Sequence, residues 1–331
     1  MDNQSSTGTI LVIGALGQIG SDLVHALRLR YGSDKVIAAD IRPAPAHGSG
    51  PYLMLDALDR EAQMEAVRQH KVHTIYNLAA ILSAKGEQDP QMAWKINMES
   101  LMNSLETVRH TEAQRLFWPS SIAVFGPTSP KENTPQRTVM EPNTVYGISK
   151  QAGERWCEYY FEKYGVDVRS IRYPGLISYR GKPGGGTTDY AVDIFHHALR
   201  GEAYRCFLQV GTRLPMMYMP DAIKATISLM EAPGTLIKNR SSYNLSGMSF
   251  APEEIYAEIK RLLPDFEMTY LPDFRQKIAD SWPGSIDDSA AREDWGWQES
   301  YSLPEMVVDM LDQLKQNGAY LAPALEEKRS R

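Results

Sequence analysis

Two cysteines, Cys157 and Cys206, are all that the 331 residues contain. So few can build neither a disulfide framework nor the cysteine-rich spacings of structural zinc sites, which points to a reducing compartment. No stretch of about 18 apolar residues occurs either, so no membrane-spanning helix is expected. Residues 1–8 are polar, with neither the apolar segment of a secretory signal nor the Arg-rich pattern of a transit peptide. Excess positive charge is also lacking. Lys and Arg number 35 against 41 Asp and Glu, a net charge of −6, whereas sequence-independent binding to nucleic acid needs basic surface. The expectation is a soluble cytoplasmic protein with no nucleic-acid partner, no membrane partner and no bound metal.

What the chain does contain is 43% hydrophobic residues, enough for a sizeable core. They fall into short β-branched runs alternating with helical patterns. Thr9–Ile13, Val36–Ala39, Tyr52–Leu55, Thr74–Asn77, Arg115–Trp118 and Val168–Arg172 read as strands. Asp89-Pro90 opens a helix carrying Trp94, Met98, Leu101, Met102, Leu105 and Val108. A second long helix spans about 144–164 and ends at Gly165. Further on, a helix is expected from Thr187 or Thr188 to Leu199, with strands at Met216–Met219 and Tyr243–Leu245. A glycine-rich mobile loop is expected at 181–186, and a frayed end over the last dozen residues.

Gly14, Gly17 and Gly20 sit where the first strand turns into a helix, in Gly14-Ala15-Leu16-Gly17-Gln18-Ile19-Gly20. The turn is tight, the backbone must approach a pyrophosphate, and the helix must pack closely on the sheet. The helix start then offers N–H groups and a positive dipole end to phosphate. Asp40 ends the next strand, 20 residues after Gly20. A carboxylate there accepts from both hydroxyls of an adenosine ribose and repels a 2′-phosphate, so NAD is expected in preference to NADP. Arg42 is close enough to oppose that preference. Asp56 and Ala57, after the third strand, and Leu78, Ala79 and Ala80, after Asn77, are either further cofactor contacts or strand-end packing. The alternation and this motif together predict an α/β fold, a Rossmann doubly wound parallel sheet with a smaller C-terminal substrate-binding domain. Residues 1–178 and 209–248 are assigned to the NAD-binding part, and 179–208 with 249–331 to the substrate-binding lid.

Tyr146-Gly147-Ile148-Ser149-Lys150 sets Tyr146 and Lys150 four apart on one helix, hence on one face. An ammonium beside a phenol lowers a pKa that is otherwise about 10, which makes a general base for an alcohol proton. Ser120-Ser121 ends the fifth strand at the carboxyl edge of the sheet, where a hydroxyl can bind a substrate oxygen. His196-His197 has no matched carboxylate or cysteine cluster and reads as a core or surface pair.

These segments resemble the extended short-chain dehydrogenase/reductase superfamily over nearly the whole chain. The resemblance is carried by GALGQIG at 14–20, NLAA at 77–80, SSIAVFG at 120–126, YGISK at 146–150, RYPGLIS at 172–178, MPDAIKA at 219–225 and AREDWGW at 291–297. It implies that Tyr146 is the catalytic acid/base and that Lys150 binds the nicotinamide ribose and tunes the tyrosine. It places Ser121, 25 residues before Tyr146, on the reacting hydroxyl ahead of Ser120. Gln18, Ile19, Asn97, Tyr173 and Pro174 join the cofactor contacts. The two long helices carry more apolar residues than one sheet face needs. In the resembling family such helices pair across a two-fold axis, which implies a homodimer.

Within that superfamily the chain departs from the sugar-nucleotide enzymes, which carry Asn where Gly175 stands here and need a long basic cleft. Gly184 to Ala191, Ala80 to Ser83 and Arg172 to Ile177 look like the short-chain type of L-threonine 3-dehydrogenase. That likeness implies NAD-dependent oxidation of the β-hydroxyl of L-threonine to 2-amino-3-oxobutyrate, which can decarboxylate to aminoacetone. Thr187 and Thr188, hydroxyls at a helix start, suit a carboxylate. Ser83, read as the end of the fourth strand, reaches the same pocket and Trp282 caps it. Asp189 complements the helix dipole or faces the substrate ammonium. Two alternatives stand beside this reading. One is an NAD-dependent sugar-nucleotide epimerase or dehydratase. The other is a non-catalytic dinucleotide-binding sensor, which the presence of both Tyr146 and Lys150 disfavours.

Overall fold

The computed structural model describes residues 8–45, 49–181 and 186–318. β1 (Thr9–Ile13) leads into α1 (Gln18–Tyr31), followed by β2 (Val36–Asp40), β3 (Tyr52–Met54), α2 (Arg60–His70) and β4 (Val72–Asn77). Next come α3 (Ser83–Gly86), α4 (Pro90–His110), β5 (Arg115–Phe117), β6 (Ser120–Ser121) and α5 (Val145–Tyr164). Three short strands follow: β7 (Asp167–Arg169), β8 (Ile171–Tyr173) and β9 (Gly175–Ile177). The remainder holds α6 (Tyr190–Arg200), β10 (Tyr204–Cys206), β11 (Leu214–Tyr218), α7 (Met219–Glu231), β12 (Tyr243–Asn244) and β13 (Met248–Phe250). It ends with α8 (Pro252–Leu262), β14 (Met268–Tyr270), α9 (Arg275–Ser281), α10 (Ser289–Trp295) and α11 (Leu303–Asn317).

Six strands form one parallel sheet in the order β3-β2-β1-β4-β5-β7. The expected doubly wound sheet is thus what forms. Strand order reverses between β1 and β4, and a crevice opens outside the carboxyl ends of the strands at such a switch point. Beyond it, β8 pairs in parallel with β6 and β12, and β11 pairs with β9 and β13. Residues alternate across β1. Ile10 and Val12 pack with α1 and α7, while Leu11 and Ile13 pack with residues of α2, α4 and α5. A third core joins α6, α8 and α11 around Phe195, Ile255 and Met306. Ala291 and Trp297 return to the first of these cores beside Tyr243 and Leu245.

Several expected boundaries shift for local reasons. Val168–Arg172 is two strands: the chain pairs with β5 through Arg169, then changes partner to β6 and β12 at Ile171. The strand expected to reach Met219 stops at Tyr218, because Met219-Pro220 opens α7. α6 begins at Tyr190, later than expected, since the Asp189 carboxylate turns back to accept from the Gly186 N–H at 2.8 Å. Ser83 lies past the end of β4, in the first turn of α3. Trp94 stands 42% exposed on α4, whereas Met98, Leu101, Leu105 and Val108 are buried. Cys157 and Cys206 are buried free thiols. Among the described residues no helix is long and apolar enough to cross a membrane. The polar start, most of the glycine loop and the frayed end lie outside the described residues.

Candidate active site

The glycine turn is built for close approach. Gly14 has φ +78°, and a Cβ there would come within 3.0 Å of the Ala79 nitrogen. At Gly20 a Cβ would lie 2.2 Å from the Gly14 carbonyl oxygen, so only glycine lets α1 start against β1. The Leu78 N–H donates to the Ile13 carbonyl at 2.9 Å, and Asn77 Oδ1 accepts from the Ala79 N–H at 3.1 Å, which fixes the wall opposite the turn. Asp40 closes the far end, only 6% exposed. Its Oδ2 accepts from the Leu16 N–H at 3.0 Å, and its Oδ1 accepts from Arg42 Nε at 3.0 Å. Burial raises its pKa, but the hydrogen bonds from Arg42 and Leu16 outweigh burial and hold it below the usual carboxylate value. A glycine-lined turn at a helix N-terminus with a carboxylate one strand away fits a dinucleotide.

The other nominated cofactor contacts divide. Gln18, Ile19, Leu78, Ala80, Tyr173 and Pro174 line one cavity of about 130 Å³ together with Tyr146 and Lys150. Asp56 is exposed and accepts from the Leu58 N–H, and the Ala57 carbonyl accepts from Gln63 Nε2, so both serve the turn into α2. Asn97 is buried and brackets Ile81: its Oδ1 accepts from the Ile81 N–H at 2.8 Å and its Nδ2 donates to the Ile81 carbonyl. It holds the wall of the crevice. The Tyr173 hydroxyl is engaged by Thr226.

Thr144 caps α5 by accepting from the Gly147 N–H at 3.1 Å, which starts the helix one residue before Tyr146. Tyr146 and Ser121 line the cavity together, Ser121 pulling the phenol's pKa down while its Oγ accepts from the Ala123 N–H at 3.2 Å. Lys150 Nζ donates to the Pro119 carbonyl at 2.6 Å and stands 4.3 Å from the Trp118 ring centroid. The expected lowering of the tyrosine pKa by Lys150 does not hold in the chain alone. Burial pushes Tyr146 up to about 12 against the pull of Ser121. The ammonium is held at Pro119, 5.5 Å from the Tyr146 ring centroid, and burial brings Lys150 down to about 7. Ser120 and Ser121 both line the cavity but differ in partner. Ser120 Oγ donates to the buried Glu154 carboxylate at 2.6 Å, while Ser121 faces the phenol.

Across the cavity stand Ser83, Thr187, Thr188, Asp189 and Trp282. Ser83 Oγ lies 3.5 Å from Thr187 Oγ1. Gly175 makes room for this side: a Cβ there would lie 2.6 Å from Thr188 Cγ2 and 2.4 Å from Met216 Sδ. Asp189 accepts from the Gly186 N–H at 2.8 Å and so braces the turn ahead of α6. Among the described residues no group of three or more His, Cys, Asp or Glu could hold a metal ion. The cavity can take a small polar molecule, being well below the roughly 300–1,000 Å³ of drug-sized sites. Sequence reasoning missed Glu154. Its signal was the spacing Tyr146, Lys150, Glu154, which puts three polar side chains on one helix face.

An uncharacterised epimerase/dehydratase of Staphylococcus saprophyticus is 50% identical to the chain, over 92% of this chain and 97% of its own length. The holo form of a GalE-like L-threonine dehydrogenase from Cupriavidus necator superposes with a TM-score of 0.91 at 58% identity, covering 92% of this chain and 99% of that one. A monomeric L-threonine 3-dehydrogenase from a metagenome, in its apo form, superposes with a TM-score of 0.90 at 48% identity, covering 93% and 99%. The family described as NAD dependent epimerase/dehydratase matches residues 10–246, the stretch from β1 to just past β12 that holds the glycine turn, Tyr146 and Lys150, and the chain belongs to it.

Proposed function

We propose that the chain is an NAD-dependent L-threonine 3-dehydrogenase. One observation carries the reading: a single small cavity sets Tyr146, Lys150 and Ser121 opposite Ser83, Thr187 and Thr188, with Gly175 leaving that side open. Gly14, Gly17 and Gly20 would cradle the pyrophosphate and Asp40 the adenosine ribose, with Lys150 on the nicotinamide ribose. The bound nicotinamide supplies a hydride acceptor. Ser121 orients the β-hydroxyl of threonine and Tyr146 takes its proton. Ser83, Thr187 and Thr188 grip the carboxylate through hydroxyl and N–H donors, and Trp282 keeps water out. The product, 2-amino-3-oxobutyrate, is a β-keto acid that loses CO₂ to give aminoacetone without help from these residues.

NAD is preferred over NADP on this reading, because Asp40 repels a 2′-phosphate and holds Arg42 to itself. The protein acts in the cytoplasm as a homodimer. α4 and α5 leave Trp94, Trp156 and Tyr159 at 42, 40 and 44% exposure, which favours a second copy packed on these helices. Purified protein incubated with NAD and either L-threonine or a UDP-hexose tests the activity. Threonine-dependent NADH is expected; epimerised sugar without it would overturn the proposal. Sedimentation at micromolar concentration tests the dimer, and a monomer there would refute it.

A further inference from the structure

Helix α5 grips the segment Pro119–Ser121 with three side chains from successive turns of one face. Tyr146 meets Ser121, Lys150 meets the Pro119 carbonyl, and Glu154 meets Ser120. The first two contacts belong to the catalytic pair. The third has no part in the chemistry so far described, and Glu154 lies outside the cavity. Glu154 and Arg172 are fully buried, at 0% and 2% exposure. Arg172 donates to both carboxylate oxygens, Nε to Oε1 at 2.8 Å and Nη2 to Oε2 at 2.7 Å. Its remaining nitrogen donates to the Gln136 carbonyl and to Asn244 Oδ1, each at 2.9 Å. A carboxylate taken out of water is tolerated only when paired and hydrogen-bonded in good geometry. This one is, so its place is over-determined, and Ser120 Oγ is its link to the segment that carries Ser121.

We propose that Glu154 is a positioning residue: by holding Ser120 it fixes the Ser121 hydroxyl and the Pro119 carbonyl against Tyr146 and Lys150. The rate measurements that test it rest on the dehydrogenase reading. The Lys150 ammonium faces Tyr146, Glu154 and Cys157 on its own helix, the Trp118 ring on the sheet side, and Arg172 of β8 behind Glu154. The Glu154 charge therefore also favours the protonated lysine, which supplies a readout independent of turnover.

The experiment uses the full chain with NAD and L-threonine. Ser120→Ala is expected to lower kcat between about tenfold and the roughly 100-fold that a 1 Å misplacement produces. KM for threonine and NAD affinity should stay within twofold, and Ser120→Thr, which keeps the hydroxyl, should restore kcat. In a Glu154→Gln background, Ser120→Ala should add little. A raised KM with kcat intact would make Ser120 a substrate contact and overturn the proposal, as would unchanged kcat or losses that simply multiply. If Glu154→Gln does not fold, because Arg172 is left buried and unpaired, the Ser120→Ala and Ser120→Thr pair decides. If the wild-type protein gives no threonine-dependent NADH, the substrate reading fails, and titration of Lys150 by ¹³C-lysine NMR decides the positioning role. Lys150 should titrate lower in Glu154→Gln, or shift in Ser120→Ala if the first does not fold; an unmoved titration would overturn it.

Discussion

Gly175→Ala inserts a methyl group where the structure has no room for one. The added Cβ would lie 2.4 Å from Met216 Sδ, 2.6 Å from Thr188 Cγ2 and 2.8 Å from Thr188 Cβ. Carbon contacts settle at about 3.5–4.0 Å, so relief needs a displacement of roughly 1 Å. Met216 is fully buried, whereas Thr188 stands half-buried at the cavity, so Thr188 yields first. Overpacking of this kind costs about 1–3 kcal/mol. If Thr188 carries that cost, threonine binding weakens by roughly 5- to 150-fold, at about 1.4 kcal/mol per tenfold. Steady-state kinetics should show KM for threonine rising within that range, with kcat less affected. NAD affinity, read by fluorescence quenching, should stay within twofold because the glycine turn and Asp40 are untouched. A thermal melt shows whether any part of the cost falls on the fold instead. Unchanged KM together with unchanged Tm would refute the packing argument and the role of Thr188 at once.

Tyr146→Phe should cost about 100- to 10,000-fold in turnover while leaving NAD affinity intact; a variant keeping a tenth of the rate would remove Tyr146 from the proton transfer. Burial holds Tyr146 near 12, so the phenolate grows as pH rises toward that value, and kcat/KM should climb through the alkaline range. A flat profile from pH 7 to 9 would contradict this. Burial also leaves Lys150 with a pKa of about 7, its amine losing the proton as pH rises through neutrality. In protein free of cofactor, NMR of ¹³C-labelled lysine should show one lysine titrating there and none in Lys150→Met, and no such signal would refute the burial argument. Asp40→Ala frees Arg42 from both carboxylate oxygens and removes the charge that repels a 2′-phosphate. The ratio of NADP to NAD efficiency should rise at least about tenfold, a shift of 1.4 kcal/mol, and an unmoved ratio would sink the reading of Asp40.

The parts legible in the sequence were those written in local spacing. Three glycines at a strand end, an acid at the end of the next strand, and Tyr146 four residues before Lys150 each encode a backbone geometry, and the structure places them accordingly. Long-range partners were not legible. Nothing near Ser120 signals that its hydroxyl goes to Glu154, 34 residues on, while that of its neighbour Ser121 faces the phenol. The rise of the Tyr146 pKa in the chain alone is illegible for the same reason. Helical spacing puts an ammonium near a phenol, but it does not reveal that both are buried and that the Pro119 carbonyl takes the lysine. The split of Val168–Arg172 into two strands also depends on partners distant in sequence, β5 for one and β6 with β12 for the other.

The exchange of partners between β7 and β8 has a consequence for the order in which the molecule acquires its working parts. Glycine turn, Asp40 and the wall at Leu78 all come from strands that pair within the first 118 residues. Arg172 reaches Asn244 across 72 residues, and β8 gains its outer neighbour only when Tyr243 and Asn244 arrive. Such distant pairing forms late, after nearer contacts have closed. On a ribosome, then, the strands that carry the nucleotide cradle emerge long before the buried Glu154–Arg172 pair has its last ligand. A chain stalled short of residue 243 would carry a cradle shaped for a dinucleotide beside a catalytic face still unclamped. Such a species could hold cofactor without being able to use it.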